Sequence, residues 1–408
     1  MACRTFRLRN LFLWLLCAAG TLAQAQDYDS IMRFSLANLK SRFAEMPAKE
    51  QAQRLELETL RYPKRQEAYY LLAYTYSRMN SEEAQKMPEM TYPMTLKVSQ
   101  LLEKVISIDS TYNGPLVVLD VYSKINSEWS SLALKYLAEE KPDSARICFN
   151  ESLKRGGINP AILQIHRHIL DAIEPGAFLI SSGDNCTYSL LYLQFMENYR
   201  TDIRIADVSL IGTSWYYTYL VNHGFPHYHV FDSLVVESYY TPWQDTTLHF
   251  DGMDVLAEAT YGGAYIGQSG RIILDLLSHY GPKKLFYLVH GSDPEQNFGM
   301  SDRGCIHYSF VRFEGENAHC EQPAIGELDW QILENLDRAQ THDRSIQRMF
   351  DLYVHWFLYY LYSRMPDEAH IVKQEYARFK TVYPQKRHPE FYEDYSTLIA
   401  YFDEQFKE

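Results

Sequence analysis

A recurring spacing of apolar side chains constrains the fold of this 408-residue chain more than any other feature of its sequence. Four residues fall at intervals of three, one and three, which places them on one face of a helix: Trp129, Leu132, Ala133 and Tyr136. Pro142-Asp143 then predicts a turn, and Ala145 and Phe149 lie where a second helix packs against the first. The pattern predicts a pair of antiparallel helices.

This pair resembles the tetratricopeptide repeat, whose helices read W-x2-L-G-x2-Y and A-x3-F, with Ala133 in place of the glycine. An earlier copy repeats the first-helix spacing at Tyr69, Leu72, Ala73 and Tyr76. The insertion that follows contains Pro88 and Pro93, and we expect a loop there rather than a helix. The resemblance implies stacked helix pairs over residues 26–174, with Trp129 and Tyr136 in the core rather than at a contact surface.

The pattern changes at Pro175-Gly176, where a strand, helix, strand order implies a parallel sheet. The predicted elements of this part are a strand at 177–180, a helix at 187–199, a strand at 203–208, a helix at 271–280, a strand at 284–289 and one strand at 305–313. Gly262 to Gly270 lacks the order of a phosphate-binding loop, so we expect a mobile loop leading into a helix. Residues 175–323 are therefore predicted to form an α/β domain.

The last part of the chain, residues 324–408, is again predicted to be helical. Tyr353, Trp356, Phe357 and Tyr360 lie on one helical face, and Asp367 is expected to open a second helix that runs to about Val382. The predicted fold class is therefore α/β plus all-α, with a parallel α/β unit flanked by tetratricopeptide-like helical repeats.

The first 25 residues have the pattern of an export signal. A basic start with Arg4, Arg7 and Arg9 precedes a short apolar stretch, and Ala23-Gln24-Ala25 offers small residues for cleavage. We therefore expect a periplasmic or secreted protein. No later run of 18 apolar residues occurs, so no integral membrane segment is expected after cleavage. The net charge of -13 argues against nucleic acid as a partner.

Several motifs in the middle of the chain resemble the soluble C-terminal portion of bacterial proteins related to eukaryotic protein O-mannosyltransferases. In order, they are Gly183-Asp184-Asn185-Cys186-Thr187, Tyr192-Leu193-Gln194, Arg200-Thr201-Asp202 and Trp215-Tyr216. The transferase chemistry of that family belongs to a membrane-embedded half that this chain lacks, so the activity does not follow from the resemblance. Cys186 also stands where the family carries an aspartate.

A candidate ligand site follows from the order of strands and helices. Gly183, Asp184 and Asn185 come directly after a strand, and His290 and Asp293 follow a later one, so both groups are expected at the carboxyl edge of the sheet. Asp184 and Asp293 are candidates for holding a cation or a sugar hydroxyl, with His290 as acid or base.

Other roles for the same loop stay open at this point. Asp184 or Asn185 is equally suited to cap the following helix, and Gly183 to form the turn. Cys186 at a helix start is a candidate nucleophile if its pKa is lowered and His290 or His307 lies near it.

These observations favour a non-catalytic scaffold or binding protein that engages a protein or glycan partner. The alternatives are a carbohydrate-active enzyme with its site at Gly183-Asp184-Asn185, or an accessory subunit of a membrane glycosyltransferase. No cofactor and no metal site are predicted, since the four cysteines left after signal cleavage have no zinc-site spacing. A disulfide between Cys305 and Cys320 remains an open alternative to free thiols.

Overall fold

The computed structural model describes residues 47–81, 84–225, 240–250, 253–259, 262–280, 285–288, 304–307, 310–313, 330–339 and 341–407. The predicted signal peptide and the candidate site residues His290 and Asp293 lie outside these ranges, as does Cys320.

Helices make up most of the described residues that precede the sheet. They are α1 (Ala48–Arg61), α2 (Gln66–Asn80), α3 (Tyr92–Ile108), α4 (Val121–Ala138), α5 (Pro142–Lys154) and α6 (Pro160–Ala172). The prediction of a loop between α2 and α3 is wrong in part, because residues Ala84–Glu89 form a 3-10 helix that includes Pro88. Pro93 lies in the first turn of α3, where its missing N–H is not needed.

The predicted first-helix face is the core of this helical part. Trp129 on α4 is fully buried, its Nε1 donates to Ser99 Oγ on α3 at 3.0 Å, and the Tyr92 ring meets it edge-on at 5.3 Å. Ala133 is also fully buried, which fits the close approach expected of a small residue. Helix α2 packs against α3, and α4 packs against α5.

A five-stranded sheet of order β2-β1-β7-β9-β8 follows the helices. Its strands are β1 (Phe178–Ser181), β2 (Arg204–Asp207), β7 (Leu285–Leu288), β8 (Gly304–His307) and β9 (Phe310–Phe313). Strands β2, β1 and β7 are parallel, as predicted, and β1 is buried along its whole length. The expected single strand over 305–313 is wrong: it is an antiparallel hairpin of β8 and β9, so the sheet is mixed.

In the described residues of this part, three helices and four short strands accompany the sheet. The helices are α7 (Asp184–Glu197), α8 (Ser214–Asn222) and α9 (Gln268–Tyr280), and the strands are β3 (Tyr240–Pro242), β4 (Thr246–Phe250), β5 (Met253–Ala257) and β6 (Tyr265–Gly267). Strand β3 pairs with β6, and β4 pairs with β5, both antiparallel. The glycine-rich stretch is therefore only in part a loop, because its second half forms β6 and the start of α9.

The chain ends in α10 (Trp330–Arg338), α11 (Arg344–Val382), α12 (Pro389–Asp394) and α13 (Ser396–Gln405). Helix α11 contains Pro366 and bends at Glu368, whose φ of -134° is not helical, so the second helix expected from Asp367 continues the first across a kink. Tyr353, Phe357 and Tyr360 are buried on the predicted face. None of the helices in the described ranges combines the length and the apolar character that a bilayer crossing requires.

Candidate functional site at the carboxyl ends of the strands

The candidate site begins where β1 ends. Strand β1 lies between β2 and β7, so its carboxyl end at Ser181 is flanked on both sides by the ends of parallel strands. The chain leaves β1 toward β2 on one side and reaches β7 only later, on the other. In open α/β sheets a crevice for ligands forms at such a reversal of strand order.

Gly183 forms the bend between β1 and α7. Its φ of +83° is a conformation that favours glycine, and its carbonyl accepts the first helical hydrogen bonds, from Cys186 N at 3.1 Å and Thr187 N at 2.9 Å. No side chain caps this helix, because α7 begins at Asp184 itself. The interpretation that Asp184 or Asn185 is the helix cap is therefore wrong.

Asp184 lies in the first turn of α7 and is partly exposed. Its carboxylate makes no hydrogen bond or ion pair with the residues that the structure describes. Burial is the largest cause of the raised pKa values of Tyr74, Tyr188 and Asp207, and the charge of Asp184 adds to each of these shifts. Asp184 thus places a carboxylate at a helix N-terminus, where a negative charge is favourable. This carboxylate lies near both the helical part and the sheet.

Asn185, in contrast, points into the interior and is 7% exposed. Its Nδ2 donates to Ser123 Oγ at 2.8 Å, and its Oδ1 accepts from Asn126 Nδ2 at 3.3 Å. Both partners belong to α4. The side chain of Asn185 therefore joins the start of α7 to the helical part rather than facing an open crevice.

A second carboxyl group, that of Asp207, lies at the end of β2. Asp207 is 5% exposed, and its Oδ1 accepts from the backbone N–H groups of Ser209 and Leu210 at 2.7 and 3.2 Å. Thr187 donates to its Oδ2 and shares a 2.7 Å hydrogen bond with Ser181. Burial raises the pKa of Asp207 to about 6, and Asp184 adds to the shift.

Sequence reasoning missed Asp207, although an acidic residue that directly follows a buried strand was a usable signal. The hydrogen-bonded chain of Ser181, Thr187 and Asp207 links the ends of β1 and β2. All three residues are buried, so this chain stabilises the edge of the sheet.

Cys186 does not have the environment of a nucleophile. The thiol is buried, and burial together with the nearby Asp207 raises its pKa to about 12. A reactive cysteine requires the opposite shift. Cys186 is therefore a small apolar core residue in α7, despite its position near the helix start.

Two aspartates cap each other's helices across the molecule. Asp120 precedes α4; its Oδ1 accepts from Val121 N at 2.8 Å, and its Oδ2 accepts from Arg344 N and Nε, each at 3.0 Å. Asp343 precedes α11; its Oδ1 accepts from Ile346 N at 2.9 Å, and its Oδ2 accepts from Ser123 N at 2.7 Å. We call this pair the reciprocal cap.

The reciprocal cap connects directly to the candidate site. Ser123 Oγ donates to Asp343 Oδ1 at 2.8 Å and accepts from Asn185. One buried network of Asn126, Asn185, Ser123 and Asp343 therefore joins α4, α7 and the start of α11. Asp120 and Asp343 are each 1% exposed, and burial raises the pKa of Asp343.

Helix α4 continues this polar surface for two further turns. Lys124 Nζ lies 2.8 Å from Glu128 Oε1, which also accepts from Ser77 Oγ on α2. One turn later, Ser131 Oγ and Tyr188 Oη are 2.7 Å apart. The polar side of α4 thus faces α7 and α2, and most of its groups bond to one another.

Within the described ranges, no group of three or more His, Cys, Asp or Glu side chains is arranged to hold a metal ion. Of the candidate residues, the structure brings Gly183, Asp184 and Asn185 together at the sheet edge, and it describes β7 up to Leu288. His290 and Asp293, which follow that strand, lie outside the described residues.

The chain is similar, over residues 163–223, to the domain described as TMEM260-associated domain 2. This domain is linked to TMEM260, an O-mannosyltransferase-like protein. The matched residues run from α6 through β1, α7 and β2 to α8, and they contain Gly183, Asp184 and Asn185. No curated protein matches the chain, and no solved structure matches it either.

Proposed function

We propose that this protein is a non-catalytic scaffold or binding protein that presents helical surfaces to a protein or glycan partner. The observation that carries the proposal is the buried network of Asn126, Asn185, Ser123 and Asp343. The hydrogen bonds of this network use polar groups near the sheet edge to hold α4, α7 and the start of α11 together. Fixed mutual positions of this kind suit a frame on which a partner docks.

The last helices offer a surface for that partner. Tyr359 and Tyr362 on α11 are 38% and 41% exposed, their ring centroids lie 6.0 Å apart, and the Tyr401 ring meets Tyr362 edge-on at 5.0 Å. Tyrosine rings supply large contact area at low entropic cost, and their hydroxyl groups remain available for hydrogen bonds. We call these three residues the tyrosine row.

Three further features support the setting of this function. The spacing of α2 to α5 supports tetratricopeptide-like repeats, the N-terminal pattern supports a periplasmic or secreted location, and the family resemblance supports a relation to the soluble part of bacterial O-mannosyltransferase relatives. The match to TMEM260-associated domain 2 favours an accessory subunit of a membrane glycosyltransferase as one form of this scaffold.

A second candidate function is a carbohydrate-active enzyme at Gly183-Asp184-Asn185. The observation that favours it is the position of Asp184 near the buried Asp207, whose pKa burial raises to about 6, because glycoside hydrolysis uses a pair of carboxyl groups. The burial of Asp207 and its bonds to Thr187, Ser209 and Leu210 favour the structural role.

The two functions are separated by binding and turnover on a panel of defined glycans. We expect Tyr359→Ser with Tyr362→Ser to remove binding and Asp184→Asn to leave it unchanged. Leu57→Ser with Leu60→Ser on α1 is the matched control, because these leucines are also exposed, at 65% and 79%. Glycan cleavage that disappears in Asp184→Asn would establish the enzyme instead.

A further inference from the structure

A second polar feature lies at the end of the edge strand β2, away from Gly183. The loop that follows β2 leads through Gly212 to Thr213, which is the cap residue directly before α8. A Cβ placed on Gly212 would lie 3.2 Å from Gln268 Cγ and 3.5 Å from Ser269 Oγ. The first turn of α9 therefore packs against the loop that leads into α8, and glycine permits this approach.

The start of neither helix is neutralised by an acidic side chain. The first turns of α8 and α9 contain no Asp or Glu, and the cap residue Thr213 makes no side-chain bond to the N–H groups of α8. The hydroxyl of Thr213 donates instead to Leu210 O at 2.8 Å. The N-terminal ends of both helices, which are the positive ends of their dipoles, therefore lie at this loop.

Gln268, the first residue of α9, provides an independent indication of a ligand. The residue is 7% exposed, and its buried Oε1 accepts no hydrogen bond from any residue in the described part of the chain. No hydrogen bond of its Nε2 to the described residues is present either. A buried amide without partners is costly, and a ligand with both donor and acceptor groups would satisfy it.

A cationic side chain lies one turn further along the same face of α9. Arg271 is partly buried, and its Nε is buried without a partner. It makes no ion pair with the described residues, and this includes Asp275 four residues later. Asp207, at the end of β2, directs its Oδ1 to the N–H groups of Ser209 and Leu210.

We propose that the first turns of α8 and α9, with Gln268, Ser269 and Arg271, form a binding site for a tetrahedral oxyanion such as a phosphate group. The donors are the helix N–H groups, the Gln268 amide, the Ser269 hydroxyl and the Arg271 guanidinium. They are more numerous and more widely directed than a carboxylate requires. Gln268 Oε1 is left to accept from a hydroxyl of the same ligand. The site lies on a different loop from Asp184 and does not depend on the proposed binding function.

Calorimetric titration and thermal denaturation of the intact protein test this site, with inorganic phosphate and glycerol phosphate as probes at constant ionic strength. We expect both the binding and a rise in melting temperature that chloride does not produce. Arg271→Gln should weaken phosphate binding at least about tenfold, because it removes a charge-assisted bond. Arg54→Gln, which removes an exposed arginine paired with Glu50, should have no effect.

Gln268→Glu gives a result that a purely structural role would not. The new carboxylate would occupy the site as an internal anion, so we expect an unchanged or higher melting temperature without phosphate and no further rise with it. If only inorganic phosphate binds, the site is enclosed. If glycerol phosphate binds equally well, the site is open. Both results support an oxyanion site. The absence of phosphate binding at about 10 mM, or wild-type binding by Arg271→Gln and Gln268→Glu, would overturn the proposal.

Discussion

Replacing Asp343 tests whether the reciprocal cap holds the molecule together. Asp343→Ala removes the cap of α11, which costs about 1 kcal/mol of unfolding free energy. It also leaves the N–H and the hydroxyl of Ser123 without their acceptor, and each buried unpaired donor costs about 1–3 kcal/mol. Because these effects overlap, we expect a total loss of about 3–5 kcal/mol.

Asp343→Asn should cost less than the alanine variant. The amide oxygen keeps one accepting position and asparagine is a good helix cap, but the amide NH2 would face a donor of Ser123. We expect a loss of about 1–2 kcal/mol. Asp109→Ala is the matched control, because among the described residues the Asp109 carboxylate accepts only a local bond, from Thr111 N at 2.9 Å in an exposed turn.

Urea unfolding followed by tryptophan fluorescence measures these differences, with changes in midpoint read at constant slope. If Asp343→Ala loses no more stability than Asp109→Ala, the reciprocal cap contributes nothing beyond a local turn and the reasoning is refuted. A changed slope in the alanine variant would show instead that the parts of the chain no longer unfold together.

The remaining predictions concern the sheet edge and the helical core. Because the pKa of Asp207 is about 6 in the folded protein and 3.8 in a free aspartate, stability should fall as the pH rises from about 4 to about 6, and Asp207→Asn should flatten this dependence; an identical pH profile in the variant would contradict the shift. Cys186 and Cys148, both buried with pKa values raised to about 12, should resist iodoacetamide until urea unfolds the protein, as peptide mapping would show; rapid labelling of Cys186 in the folded protein would contradict its core role. Trp129→Ala should cost about 3–5 kcal/mol in urea unfolding, and a loss below 1 kcal/mol would show that this face is not the core.

Local spacing made the helices and the parallel strands predictable. Trp129 and Ala133 mark an interhelical face through a helical period, and the buried run of β1 followed by Gly183 marks a strand and a turn. The sequence did not separate the hairpin of β8 and β9 from one strand, because the sequence pattern that predicts a strand continues from 305 to 313. The second helix expected from Asp367 agrees with the kink of α11 at Glu368, where the backbone leaves the helical conformation.

The candidate site was predictable in position but not in its use of side chains. Sequence order places Asp184 and Asn185 at the sheet edge, yet only the packing of α7 on α4 shows that Asn185 bonds to Ser123 while Asp184 does not. Ser123 and Asp343, which bond to each other, are separated by 220 positions in the sequence. No local sequence pattern predicts such a contact, and the same holds for the approach of Gln268 to Gly212.

The reciprocal cap has a consequence for the order in which the chain matures. The start of α4 acquires its full set of acceptors only when Asp343 arrives, long after the first helices have emerged from the ribosome. Closing so large a loop is a slow, entropically demanding event. A nascent chain that stops short of α11 would therefore carry an incompletely satisfied helix start, and chaperones that act on unfinished chains would find their target there.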